Sequence, residues 1–117
     1  MSDDVIDIEA LRRLLEVIGG DPEDLEELLE EFEEVGPSTL KTMQDSASAD
    51  DLDTLRISSH GLKSNARDFG ATALATACED LEHACKAGEV EDPVAQVQAI
   101  SVELDRARAA LKAVSLS

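Results

Sequence analysis

The sequence predicts an all-α protein: an antiparallel up-down four-helix bundle with a short extra helix at its N-terminus. Three observations lead there. Apolar residues recur at steps of three and four almost throughout the chain, the spacing that gathers side chains on one face of a helix. No run of strict alternation is long enough to make a strand. Proline, glycine and aspartate divide the chain into five helical segments, and the short connections between the last four favour antiparallel neighbours.

The first segment covers roughly Ile8 to Ile18, with Leu11, Leu14, Leu15 and Ile18 on one side and Gly19-Gly20 as its stop. The second opens at Asp21-Pro22-Glu23-Asp24, where aspartate can cap and proline suits the first helical position. Leu25, Leu28, Leu29 and Phe32 form its buried face. Gly36-Pro37 must bend or interrupt it, because proline lacks the donor that the preceding turn expects. Periodicity resumes through Leu40 and Met43, so a kink within one long helix is expected. Ser48-Ala49-Asp50-Asp51 caps the third segment, whose seam is Leu52, Leu55, Ser59, Leu62, Ala66 and Phe69 before Gly70 ends it. The fourth runs from about Thr72 to Ala87, with Leu74, Cys78, Leu81 and Cys85 inside and Gly88 as its stop. Asp92-Pro93 opens the fifth, with Val97, Ile100, Leu104, Ala107, Leu111 and Val114 as its seam.

A chain of 117 residues is expected to be a single domain over 1–117, large enough to bury a core without disulfides or metal. Ten Lys and Arg stand against 27 Asp and Glu, for a net charge of −17. That balance argues against nucleic acid, whose phosphates demand a broad basic face, and against anionic membranes. Phe32 and Phe69, the only aromatic residues, are too few for base stacking. The acidic start Met-Ser-Asp-Asp-Val-Ile-Asp is unlike a secretory signal, and no stretch approaches the roughly 18 apolar residues of a membrane span. A soluble, cytoplasmic protein is therefore expected, and the Met1 start suits a free-standing one. Cys78 and Cys85 lie two helical turns apart, about 10 Å, too far for a disulfide. Free thiols on the seam act as small hydrophobes and suit a reducing compartment.

His60 is the position that carries chemistry. Arg56, Lys63 and Arg67 stand four before, three after and seven after it, offsets that place all four on one helical stripe. Three of only ten cations gathered around one imidazole point to a histidine that holds an anion, and phosphate fits. The stripe is centred roughly 110° from the seam of the same helix, so it should lie off the core. Gly61 and Ser64, with Ser58 and Asn65 further off, lack the bulk to shield the ring. Glycine in mid-helix costs about 1 kcal/mol relative to alanine, which makes sense where another protein must approach closely.

A phosphate-carrying histidine asks little of its own protein. Imidazole is substantially neutral near pH 7 and already nucleophilic. It needs exposure, a fixed ring and nearby positive charge, while magnesium and acid–base groups can reside on the partner. The sequence has neither a phosphate-binding Gly-x-x-x-x-Gly-Lys-Ser/Thr loop nor a kinase motif set, so ATP-dependent kinase activity of those kinds is not expected.

The segment Ser59-His60-Gly61-Leu62-Lys63-Ser64-Asn65-Ala66-Arg67-Asp68-Phe69-Gly70 resembles the signature of histidine-containing phosphotransfer (HPt) domains, in which His-x-Leu-Lys-Gly is followed by a glycine ten residues after the histidine. Cys78-Glu79-Asp80-Leu81-Glu82 and the Ala87-Gly88 stop look like the next helix of that family, and the resemblance spans most of the chain. It implies a helical bundle relaying phosphoryl groups in two-component signalling. His60 would accept the group from a receiver-domain aspartate or a histidine kinase and pass it to a response-regulator aspartate. Lys63 would be the adjacent cation, with Arg56, Arg67, Gly61 and Ser64 serving phosphate or partner. Partners would be receiver domains of response regulators or hybrid sensor kinases, bound by a monomer. The protein would carry no cofactor, with Mg2+ on the partner's receiver domain. Ser64 departs from the family's usual glycine but keeps the position small.

Two other readings compete. An acidic helical-bundle adaptor would bind signalling partners without phosphotransfer, leaving His60 incidental. A di-metal bundle would use Glu-x-x-His pairs, and neither His60 nor His83 has glutamate at that spacing. Asp80-x-x-His83 is a single acid–histidine pair, better read as solvated surface.

Overall fold

The computed structural model describes residues 5–114; the first four residues of the acidic start and the last three of the chain lie outside them. Five α-helices make up the fold, and there is no strand among the described residues. Four of the five begin where the sequence supplies an aspartate cap. Helix α1 (Ile8–Val17) follows Asp7, whose Oδ1 accepts the Glu9 N–H at 3.1 Å. Helix α2 (Pro22–Ser48) follows Asp21, which accepts from Glu23 N–H at 2.9 Å. Helix α3 (Leu52–Asp68) is capped by Asp51 through the Thr54 N–H, and α5 (Pro93–Ala113) by Asp92 through the Ala95 N–H. Helix α4 (Thr72–Ala87) has no side-chain cap and ends at Gly88, whose φ of 75° is left-handed.

Helix α2 runs unbroken through Pro37. Proline removes one intrahelical donor, yet the apolar face continues across it and holds the helix together. Gly36 is buried here, and a Cβ on it would come within 3.3 Å of Leu104 Cδ1, so glycine allows α5 to approach closely.

The helices pack in a ring. Helix α3 lies most extensively along α4, α2 packs on α3 and α5, and α4 closes on α5. Helices α2 and α4 stand diagonally, and α1 rests on α2 and α3. Inside are Leu11, Met43, Leu55, Leu62, Leu74, Leu81, Ile100 and Leu104, each almost wholly withdrawn from water. Complete burial of such a side chain is worth about 1.5–3 kcal/mol. Phe32 and Phe69 join α2 to the end of α3, with ring centroids 5.0 Å apart. Ser59 sits in the seam because its hydroxyl donates to the Leu55 carbonyl at 2.7 Å. Cys78 and Cys85 are free and buried; burial pushes the Cys78 thiol up to about 12.

One long-range tie positions the end of α3. The Asp7 N–H donates to the Gly70 carbonyl at 2.7 Å. Gly70 has a φ of +76°, and a Cβ there would collide with the Asp7 carbonyl oxygen. Both conditions demand glycine. No helix among the described residues is long and apolar enough to cross a membrane.

Candidate functional site

Two anchored faces define the site. Burial of Leu55, Ser59, Leu62 and Ala66 turns α3 so that His60 emerges at its flank. Burial of Leu74, Cys78, Leu81 and Cys85 turns α4 so that Glu82 faces α3. The Glu82 side chain is only 4% exposed, and three cationic or ionisable groups converge on it. Lys63 Nζ donates to Oε1 at 2.6 Å, His60 Nδ1 lies 2.9 Å from Oε2, and Lys86 Nζ is 3.5 Å from the same Oε2.

The charges decide how the protons sit. The Lys63 hydrogen bond, opposed by burial and aided by His60, holds the Glu82 carboxyl down to about 2. It is therefore a carboxylate at neutral pH and can only accept. His60 Nδ1 must then be the donor. That leaves the lone pair of the neutral ring on Nε2. The imidazole is 59% exposed, and Nε2 has no hydrogen-bond partner among the described residues.

The structure corrects the expected cationic stripe in one respect. Lys63 does not stand with His60 on the open face: its side chain is 10% exposed and engaged with Glu82. The roughly 110° offset removes Lys63 from the bundle's centre, but α4 lies across that flank of α3 and covers it there. Arg56 and Arg67 do remain at the surface, but paired, Arg56 with Asp53 at 3.1 Å and Arg67 with Glu79 at 2.8 Å. The stripe is thus a row of ion pairs, not free positive charge. Gly61 and Ser64 are exposed, and a Cβ on Gly61 would meet nothing within 4 Å. Ile57, one turn before His60, is 58% exposed and adds an apolar element to this face. His83 is exposed and takes no part in the cluster.

Glu82 is the residue sequence reasoning passed over. Its signal was present: it lies four after Cys78, one after Leu81 and three before Cys85, and so on the edge of the buried face. The site is not a cleft. A cavity of about 410 Å³ opens around Leu25, Leu29 and Leu111, with no lining residue from α3 or α4. Among the described residues no three His, Cys, Asp or Glu side chains converge as a metal site requires.

The fold as a whole is similar, with a TM-score of 0.85, to the crystal structure of histidine-containing phosphotransfer protein B (HptB) from Pseudomonas aeruginosa PAO1. The two chains share 26% identity over 95% of this chain and 94% of that one. Comparison with curated proteins found no match. The Hpt domain family model matches residues 27–110, a span that contains His60, Lys63 and Glu82. The chain therefore belongs to the Hpt family, the histidine phosphotransfer domains of two-component phosphorelays.

Proposed function

We propose that His60 is the phosphoacceptor and that Nε2 is the attacking atom. The observation that carries this reading is a ring 59% exposed whose Nδ1 is held by a buried carboxylate. In the forward step Nε2 forms a bond to phosphorus as the acyl O–P bond of a receiver's aspartyl phosphate breaks. The aspartate leaves as a carboxylate, and the ring keeps its Nδ1 proton and becomes cationic. No proton has to move. Glu82 holds the reactive tautomer before the step and offsets the imidazolium after it. The reverse sequence delivers the group to a response-regulator aspartate; with a histidine kinase as donor, the N–P bond of its phosphohistidine breaks instead and its imidazole is the leaving group.

Mg2+ belongs in this reading to the partner's receiver domain, where it would offset charge on the phosphoryl oxygens. The protein acts as a carrier without ATP-dependent kinase activity of its own. It works as a monomer, presenting Ile57, Gly61 and Ser64 around His60 to receiver domains of response regulators or hybrid kinases. The contacts of α2 with α3 and α5, and of α4 with α3 and α5, support reading α2 to α5 as an antiparallel up-down bundle with α1 as the extra helix. Free, buried Cys78 and Cys85 fit the reducing cytoplasm.

The test is His60→Gln. The variant should keep the helical spectrum and lose all label from a phosphorylated receiver, whereas wild-type label should be acid-labile and base-stable, as a phosphoramidate is. Label retained by the variant, or moved to His83, would sink the assignment. A wild type that binds receivers without accepting label would favour the adaptor reading.

A further inference from the structure

Contact between α2 and α5 gives way to a groove. Gly36 lets Leu104 come close, with 3.3 Å between Leu104 Cδ1 and the place of a Cβ, and one turn further Arg108 meets Glu33 Oε2 at 3.0 Å. Beyond that ion pair lies the cavity of about 410 Å³, within the roughly 300–1,000 Å³ of pockets that hold a ligand. Leu25 and Leu29 of α2 line it, with Leu111 of α5, Val114 just after that helix and Leu11 of α1. Leu29 and Val114 are only half-buried, which leaves apolar surface that a docked side chain would remove from water.

The rim is charged asymmetrically. Glu26, Glu30 and Glu33 recur at steps of four and three along about 10 Å of α2. Glu33 is already engaged, by Arg108 and, at 4.0 Å, by Lys112. Glu26 and Glu30 are exposed and enter no ion pair among the described residues. An apolar floor beside two uncommitted carboxylates is the pattern that receives an amphipathic helix with cations along one flank. We propose that the α2–α5 groove docks a basic amphipathic helical segment of a partner protein, with leucine-like side chains on the floor and lysine or arginine against Glu26 and Glu30. Charge narrows the occupant. A second copy would bring another −17 to an acidic wall, and an anionic amphiphile would meet the same carboxylates. None of the lining residues belongs to α3 or α4. The groove and the His60 edge can therefore be occupied together, and the proposal does not depend on the role of His60.

The probe is a leucine–lysine peptide of about 14 residues, roughly 21 Å when helical, with its leucines at steps of three and four. It is titrated into the full 15N-labelled chain at about 0.15 M salt, where unspecific attraction to the acidic surface is screened. Amide shifts should concentrate on Leu25 to Glu33 and Arg108 to Val114 and spare His60 and Glu82. Glu26→Lys combined with Glu30→Lys should weaken binding about tenfold or more, because like charges then face each other. Glu27→Lys combined with Glu34→Lys makes the same change of charge on exposed positions outside the groove and should weaken it about threefold or less. All four positions are exposed, so both double variants should fold. A peptide with glutamate in place of lysine should not bind. Equal weakening by the two double variants, or shifts centred outside α2 and α5, overturns the proposal. So does a groove that is already filled. A second copy there would show as groove shifts that change on dilution alongside a dimer in sedimentation. The chain's own end would show as groove shifts in Leu116→Ser without peptide.

Discussion

Glu82 joins the ring of His60, the proposed phosphoacceptor, to the buried α3–α4 contact through one carboxylate, so the proposed chemistry and stability share a group. Its carboxyl is held near 2 in the folded chain against an ordinary 4.5. A depressed folded-state value stabilises the fold above about pH 4.5, and that contribution is lost as pH falls towards 2. Glu82→Gln should therefore flatten the acid limb of a stability–pH curve measured by urea denaturation between pH 2 and 5. The same variant offers an amide that can donate to Nδ1, moving the proton to Nε2 and removing the nucleophilic lone pair. Phosphotransfer at pH 7 should fall roughly tenfold or more, and an unaltered rate would mean that the ring needs no fixed tautomer. Gly61 behaves differently. Because a Cβ there meets nothing within 4 Å, Gly61→Leu should preserve or slightly raise thermal stability while slowing transfer from a phosphorylated receiver. Equal transfer rates would show that no partner surface passes over that position. His60 was legible because its neighbours in sequence are also its neighbours on the helix. Glu82 and the burial of Lys63 were not, since both depend on which flank of α3 is covered by α4.

At the scale of elements, the boundaries could be read closely because local chemistry sets them. Asp7, Asp21, Asp51 and Asp92 each accept a hydrogen bond from the first turn they precede, and this requires no tertiary information. The continuity of α2 through Pro37 also followed from the apolar pattern on both sides. Gly70 shows what local reading omits. It looked like a helix stop, but it also receives the N-terminal segment through the Asp7 amide. Gly70→Ala would introduce a left-handed non-glycine residue and a collision with the Asp7 carbonyl. A loss of about 1–3 kcal/mol is expected in chemical denaturation. A loss as small as that of an exposed helix stop such as Gly88→Ala, where a Cβ meets nothing within 4 Å, would mean that the Asp7 contact contributes little.

Over the whole molecule, negative charge is unevenly placed. Helix α2 carries most of the acidic run from Asp21 to Glu34 on exposed positions and stands diagonally from α4, so the His60 edge is the less anionic side. Arg56 and Arg67 moderate the local field there, each already paired with a surface carboxylate. Such pairs are weak and screened beyond about 8–10 Å at physiological salt. Arg56→Gln or Arg67→Gln should slow transfer by about threefold or less at low ionic strength, and the difference should vanish near 0.15 M salt. A loss that persists at high salt would indicate direct contact with the partner or the phosphoryl group. The excess of acid and its run along α2 were legible in the sequence; that this run stands away from α4 required the packing order.

The hydrogen bond from Asp7 to Gly70 has a consequence for how the molecule opens. The Asp7 amide precedes α1 by one residue and is held by a carbonyl 63 positions along the chain, at the turn between α3 and α4. Its proton can exchange with solvent only when the N-terminal segment lifts from that turn, whatever the state of α1's own hydrogen bonds. This single amide is thus a native gauge of sub-global opening, able to separate undocking of the N-terminal segment from melting of the helix that carries His60.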